Sequence, residues 1–281
     1  MTTATAAALE DAWAARVRAN RDQVDQVREV PDRDFYAPVS SLFVADPRRT
    51  GEEALDALLV LADPEDRWLD IGAGAGRYAL PLAAHVREVV AVEPSVSMRN
   101  ALRTGVEEHG IANIRIVAGA WPAALASLGE LPAAETALIA HVGYDIEEIG
   151  PFIDAMERSA SRLCVAMLTD QSPASVADPF WPIVHGMERV PLPAMPELVE
   201  LLRAKGRSTE IRRVERAPRT FDSFDGLATF VRRQLWIEEG GEKDGRFRSA
   251  LAEMSRARDD DGWTLATPPV GAVGILTWSP R

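Results

Sequence analysis

The sequence predicts a doubly wound α/β fold built on a mostly parallel sheet, and three observations carry that prediction. Trp68-Leu69-Asp70-Ile71-Gly72-Ala73-Gly74-Ala75-Gly76-Arg77-Tyr78 reads as a short apolar strand, a glycine-rich loop and the start of a helix. Further apolar, β-branched runs at 88–92, 114–118, 136–140 and 163–168 are separated by helical stretches. Strands alternating with helices form a parallel sheet covered on both faces. The chain has 281 residues, 47% hydrophobic and 26% charged, enough for one large α/β domain or a domain with additions.

In chain order, residues 6–28 carry Leu9, Trp13, Val17, Val24 and Val27 at helical intervals, and Pro31 ends that helix. Phe35 and Tyr36 fall in a loop, either packing the first helix onto the body or forming a lid over a ligand. A helix at 51–62 breaks at Asp63-Pro64. After the glycine loop come helices at 78–86, at 97–109 (closed by Gly110) and at 151–159, the last with Pro151 at its first position. Residues 171–193 are proline-rich and hold Phe180, Trp181, His185 and Glu188. Beyond them the pattern gives a helix at 196–205, a strand at 209–214, helices at 221–239 and 247–258, a short strand at 262–266 and a last strand at 270–278.

In parallel sheets ligands bind beyond the carboxyl ends of the strands, so the loops there hold the chemistry. A dinucleotide fingerprint, G-x-G-x-x-G, would place its third glycine one residue later, and Asp70 would repel a pyrophosphate. A ligand with an amino group and no phosphate fits better. An acid, one residue, then G-x-G-x-G resembles the first motif of the class I S-adenosylmethionine (SAM)-dependent methyltransferases. Glu93, in Glu93-Pro94-Ser95 at the end of the second strand, matches that family's second motif. The two oxygens of a carboxylate suit a ribose diol.

The resemblance implies a seven-stranded sheet with an antiparallel last strand, here with a helical N-terminal extension or lid at 1–50 and a SAM-binding domain at 51–281. Segments 171–195 and 217–262 are then insertions at its substrate side or edge. It implies SAM as the cofactor, contacted by Asp70, Gly72, Ala73, Gly74, Gly76, Glu93, Pro94, Ser95 and Met98. The third motif departs from the family pattern: Ala120 stands where many members carry an acid for the adenine amino group. Adenine would be held by the backbone of Gly119, Ala120 and Trp121 and by stacking on Trp121. His141, after the fourth strand, would line the cofactor pocket.

His141 and His185 are the candidate general bases, since free imidazole titrates near 6.5; each competes with an ordinary structural role. Phe35, Tyr36, Tyr144, Trp181 and His185 are expected to line the acceptor side. Asp145 and Asp170 follow the fourth and fifth strands but read as turn and loop residues, and no metal is expected. Cys164, the only cysteine, reads as core. The basic run through Arg203, Lys205, Arg207, Arg212, Arg213, Arg216 and Arg219 reads as a solvated edge strand. A net charge of −12 argues against a nucleic-acid partner. No apolar run approaches the roughly 18 residues of a membrane span, and no targeting signal opens the chain, so a cytoplasmic location is expected. The expected function is methyl transfer from SAM to a small molecule, whose pocket the aromatic additions would roof. The alternatives are a SAM-binding regulatory or scaffold protein without transfer and an NAD-dependent oxidoreductase. Oligomeric state is not written in these motifs.

Overall fold

The computed structural model describes residues 4–31, 34–215, 218–258, 262–267 and 272–281. Nine strands occur among them: β1 (Arg67–Ile71), β2 (Glu88–Glu93), β3 (Ile114–Ala118), β4 (Ala134–Ala140), β5 (Ala160–Thr169), β6 (Glu210–Val214), β7 (Ser255–Ala257), β8 (Trp263–Leu265) and β9 (Val273–Trp278). Seven form one sheet in the order β3-β2-β1-β4-β5-β9-β6, and β7 and β8 pair separately. Strands β1 to β5 are mutually parallel, while β9 runs antiparallel to both β5 and β6. All five parallel strands therefore end on one edge, where Asp70, Glu93, Ala118, Ala140 and Thr169 lie.

Alternation along the strands builds the two faces. Leu69 and Ile71 of β1, with Val90 and Val92 of β2, pack into a core shared with helices α1 (Ala6–Val27), α5 (Ile149–Ser159) and α7 (Met195–Ala204). Trp68, Val89 and Ala91 point the other way, onto α2 (Glu53–Leu59), α3 (Ala79–Leu82) and α4 (Val96–Glu108). A third core, built around Phe180, Trp181, Phe221, Phe230 and Phe247, joins α6 (Trp181–His185), α8 (Phe224–Leu235) and α9 (Glu242–Met254) with Val24 of α1. Segments 177–184, 221–237, 247–254 and 263–265 thus pack together as a helical cap with an interior of its own.

Several boundaries differ from the sequence expectation. The helix after the glycine loop is only Ala79–Leu82, because Ala84 and His85 donate to carbonyls three residues back, Pro81 and Leu82, and tighten the chain into a turn before β2. Helix α5 starts before Gly150-Pro151 rather than at it. Helix α8 starts at Phe224 because Phe221 bridges to Trp263 and Ser223 caps the first turn, accepting from the Gly226 N–H at 3.0 Å. The helix expected at 247–258 runs over Glu242–Met254 and gives way to β7, which pairs with the short strand expected at 262–266. Arg216, Ala217 and Val270 lie outside the described residues; the last strand is described from Val273.

Three residues of the basic run are held in ion pairs. Lys205 reaches Asp154 and Glu10, Arg207 is paired with the buried Glu157, and Arg213 is paired with Asp170. No helix among the described residues is long and apolar enough to cross a membrane.

Candidate active site

The glycine loop leaves β1 and closes against its neighbours through backbone that only glycine tolerates comfortably. Gly72 has φ +76°, and a Cβ there would meet Val142 Cγ2 at 2.5 Å. Gly74 also has positive φ, but a Cβ there would meet nothing within 4 Å, so the space above it is open. Glu93 is bonded to the same loop and is 4% exposed. One of its carboxylate oxygens accepts from the Gly74 N–H at 2.8 Å and the other from the Ser95 N–H at 2.7 Å. Burial raises the Glu93 carboxyl above its ordinary value, outweighing those two N–H groups and Arg99. Each oxygen keeps acceptor capacity for a further donor.

Asp70 is 2% exposed, and its carboxylate accepts no hydrogen bond among the described residues. Burial, with the nearby charge of Glu93, pushes it up to about 7. A buried carboxylate without a cation is costly, and a ligand's amino group would relieve that cost. A buried acid at the end of β1, a second at the end of β2 and open space beside Gly74 are compatible with SAM.

The adenine side is more mixed. Pro94 and Ala120 are exposed and Gly119 is half-buried with φ +149°. Met98, expected against adenine, is 2% exposed and packed under the loop. Trp121 belongs to the core, and its indole N–H donates to the Phe152 carbonyl at 3.2 Å, so its ring is held by packing. His141 follows β4 with φ +58°, a left-handed conformation uncommon outside glycine and typical of functional loops. Its ring lies 6.5 Å from that of Tyr78.

Of the residues expected around the acceptor, the structure brings some to the cleft and takes others away. Tyr144 is buried, its hydroxyl accepting from the Thr169 N–H at 2.9 Å and lying 3.0 Å from the Thr169 hydroxyl, which ties the ends of β4 and β5 together. Trp181 is fully buried in the cap. His185 sits against it, with Nε2 3.0 Å from the Leu235 carbonyl, and burial lowers its pKa. The charges His185 feels are Lys243, Glu29 and Arg246, none of them at the strand ends. Asp170 is taken by Arg213.

Phe35 and Tyr36 belong to a strap that crosses from the cofactor side to the cap. Sequence reading missed its anchor, Asp34, whose carboxylate accepts from the Ser95 hydroxyl at 2.8 Å and the Ser97 N–H at 2.8 Å. Burial raises its pKa, but donors from Ser97, Ser95 and Tyr36 outweigh this and hold it below the usual value. An acid at the N-terminus of α4 also meets the positive end of the helix dipole. Tyr36 is 36% exposed, yet enclosure by protein, followed by the charge of Asp145, pushes its phenol up to about 12; Arg233, Glu93 and Asp34 also act on it. Tyr36, Arg233, Asp145, Glu93 and Asp34 are therefore electrostatic neighbours. Enclosure likewise raises the Asp145 carboxyl, against its own N–H and Arg21.

Solved structures show the same architecture. A SAM-dependent methyltransferase from Thiobacillus denitrificans, in complex with S-adenosylhomocysteine, superposes with a TM-score of 0.53 at 14% identity, covering 90% of this chain and 99% of that one. YcgJ of Bacillus subtilis gives 0.53 at 14% identity over 82% and 99%. The fold is that of the class I S-adenosylmethionine-dependent methyltransferases. The fold does not dictate the reaction: the [4+2]-cyclase SpnF has it too, with a TM-score of 0.52 at 16% identity over 88% of this chain and 93% of SpnF. No family model matches the chain.

Among curated proteins, tRNA/tmRNA (uracil-C(5))-methyltransferases from Azotobacter vinelandii and Stutzerimonas stutzeri are 34% and 32% identical over 104 residues. Those matches cover 36% of this chain and only 29% of each relative. Both relatives are named for RNA acceptors, which overturns the expected small-molecule acceptor and the expected absence of a nucleic-acid partner. The charge argument failed because a net charge averages the whole surface, whereas a partner meets one part of it.

Proposed function

We propose that this protein, acting in the cytoplasm, transfers a methyl group from SAM to an RNA acceptor. The observation that carries the SAM half is the pair of buried acids on adjacent parallel strand ends, Asp70 without a hydrogen-bond partner among the described residues and Glu93 bonded to Gly74 and Ser95, beside the open space at Gly74. The named acceptors of the curated relatives support the RNA half. When bound, SAM supplies an electrophilic methyl on a sulfonium. Asp70 holds the amino group, Glu93 the ribose hydroxyls, and the loop after β4, with His141, faces the side where the acceptor enters. The strap and cap close over that side, which serves alignment and excludes water.

Asp145 is the better-placed proton acceptor in this reading. It lies at the cleft with Tyr36, and its raised pKa brings it nearer to the working range of a base. His185 is engaged in the cap instead.

The ring-carbon chemistry in the relatives' name is not carried over. A pyrimidine carbon gains electron density when a nucleophile adds to its neighbour, commonly a thiolate. The chain's single cysteine, Cys164, is fully buried on β5, and burial together with Glu157 raises its thiol. The acceptor atom proposed is therefore a nitrogen or oxygen. Incubation with SAM carrying a labelled methyl and bulk tRNA, followed by nucleoside analysis, tests this. The expected label sits on a heteroatom of RNA. Label on uracil C5 contradicts the atom assignment, and unlabelled RNA from protein that binds S-adenosylhomocysteine contradicts the acceptor.

A further inference from the structure

Arg233, in the last turn of α8, lies among aromatic rings from the strap and the cap. Its guanidinium carbon is 4.6 Å from the ring centre of Phe35, 5.1 Å from Phe230, 5.3 Å from Phe43 and 5.4 Å from Tyr36. Nε and Nη1 are buried and make no hydrogen bond among the described residues. Arg232, one residue earlier, is paired with Asp244 and Glu239. Adjacent helix positions point in different directions, so α8 spends one arginine on the cap interior and turns the other toward the strap. Burial lowers the Arg233 pKa to about 10, which leaves it charged at neutral pH.

The rings explain how the guanidinium is held, but a ring face does not satisfy an in-plane N–H donor as an oxyanion does. The surrounding acids are otherwise disposed. The carboxylates of Asp34 and Glu93 already accept from hydroxyl and backbone donors, and no hydrogen bond joins the Arg233 Nε or Nη1 to Asp145 among the described residues. Tyr36, 5.4 Å from the Arg233 guanidinium carbon, also feels the charge of Asp145 in the loop after β4.

We infer that Arg233, framed by Phe35, Tyr36, Phe43 and Phe230, is the subsite that receives a phosphate group of the acceptor, with the half-open face of Tyr36 beside it for the adjoining base. This rests on the RNA reading above. Phosphate calls for a fixed fork of donors, and an aromatic neighbour suits stacking on an unpaired base.

The test is fluorescence anisotropy with a labelled single-stranded RNA of about a dozen nucleotides, across a salt series, on protein saturated with S-adenosylhomocysteine. Arg233→Met is expected to weaken RNA binding at least about tenfold and to flatten the slope of log K against log salt by about 0.7, the loss of one phosphate contact. Affinity for S-adenosylhomocysteine stays unchanged. Coincident affinities and slopes in wild type and variant overturn the inference while leaving the RNA reading intact. Arg233→Lys keeps the charge and loses the fork; it serves if the methionine variant does not fold, with a several-fold loss expected and wild-type binding overturning the inference. A second arm uses inorganic phosphate. If wild type ignores RNA but binds phosphate, and Arg233→Met does not, the subsite stands and the RNA reading fails. If wild type binds neither, the subsite inference falls.

Discussion

The floor of the cleft and its roof are made by different means. The floor is backbone: Gly72 and Gly74 at positive φ, N–H groups aimed at Glu93, and acids at the ends of adjacent strands whose register is fixed by the sheet. The roof is side chains: the strap of Asp34, Phe35 and Tyr36 laid against a cap whose core is Phe180, Trp181, Phe230 and Phe247. A floor of this kind is written locally and serves one ligand in many proteins. A roof of this kind depends on distant residues meeting, and it is where one acceptor is told from another.

Separating the two halves by mutation sharpens this contrast. The largest effect is expected in the cap. Arg232 pairs with Asp244, whose side chain is 4% exposed, and Arg232→Ala leaves that buried acid without its cation. A loss of about 3–5 kcal/mol in unfolding free energy is expected by denaturant titration, with affinity for S-adenosylhomocysteine unchanged in the folded protein. If affinity falls with stability, floor and roof are not separable. The next effect belongs to the floor. Glu93→Ala removes an acceptor from the ribose position, and binding measured calorimetrically should weaken by about 1.5–3 kcal/mol; unaltered affinity would place the ribose elsewhere.

A third prediction concerns pH. Asp70 is raised from its ordinary value to about 7 in the folded state. The folded protein therefore keeps a proton that the unfolded chain releases. Its stabilising contribution is full below the unfolded value, about 4, and is lost as pH rises toward 7. The difference in unfolding free energy between wild type and Asp70→Asn should shift against wild type across that window. A difference that stays flat with pH would mean Asp70 is ionised in the ligand-free protein. The smallest effect is reserved for His185, engaged with Leu235 in the cap. His185→Gln should leave the pH profile of methyl transfer unmoved and the rate within about twofold, since no general-base contribution is lost; disappearance of a titration near neutrality would return His185 to the chemistry.

This contrast also explains what could be read from the sequence. Asp70, the three glycines and Glu93 stand out in the sequence because their constraint is short-range: a left-handed loop and an acid at a strand end show in a few consecutive letters. Trp121, Tyr144, Trp181 and His185 looked like pocket residues because an aromatic or histidine serves a core as well as a ligand. What decides is the partner, and the partners are Phe152, Thr169, Arg189 and Leu235, reached through tertiary folding. Arg233 and Asp34 went unnoticed for the same reason. Charged residues in a helix and a loop read as surface until rings from separate elements, or the N-terminus of α4, close around them.

The central claim is that the space between Asp70, Gly74 and Glu93 is a SAM site, and calorimetric titration of the wild-type protein with S-adenosylhomocysteine and, separately, with NADH tests it most directly. The account predicts saturable one-to-one binding of S-adenosylhomocysteine and no binding of NADH. Saturable binding of NADH, with no heat from S-adenosylhomocysteine, would contradict it.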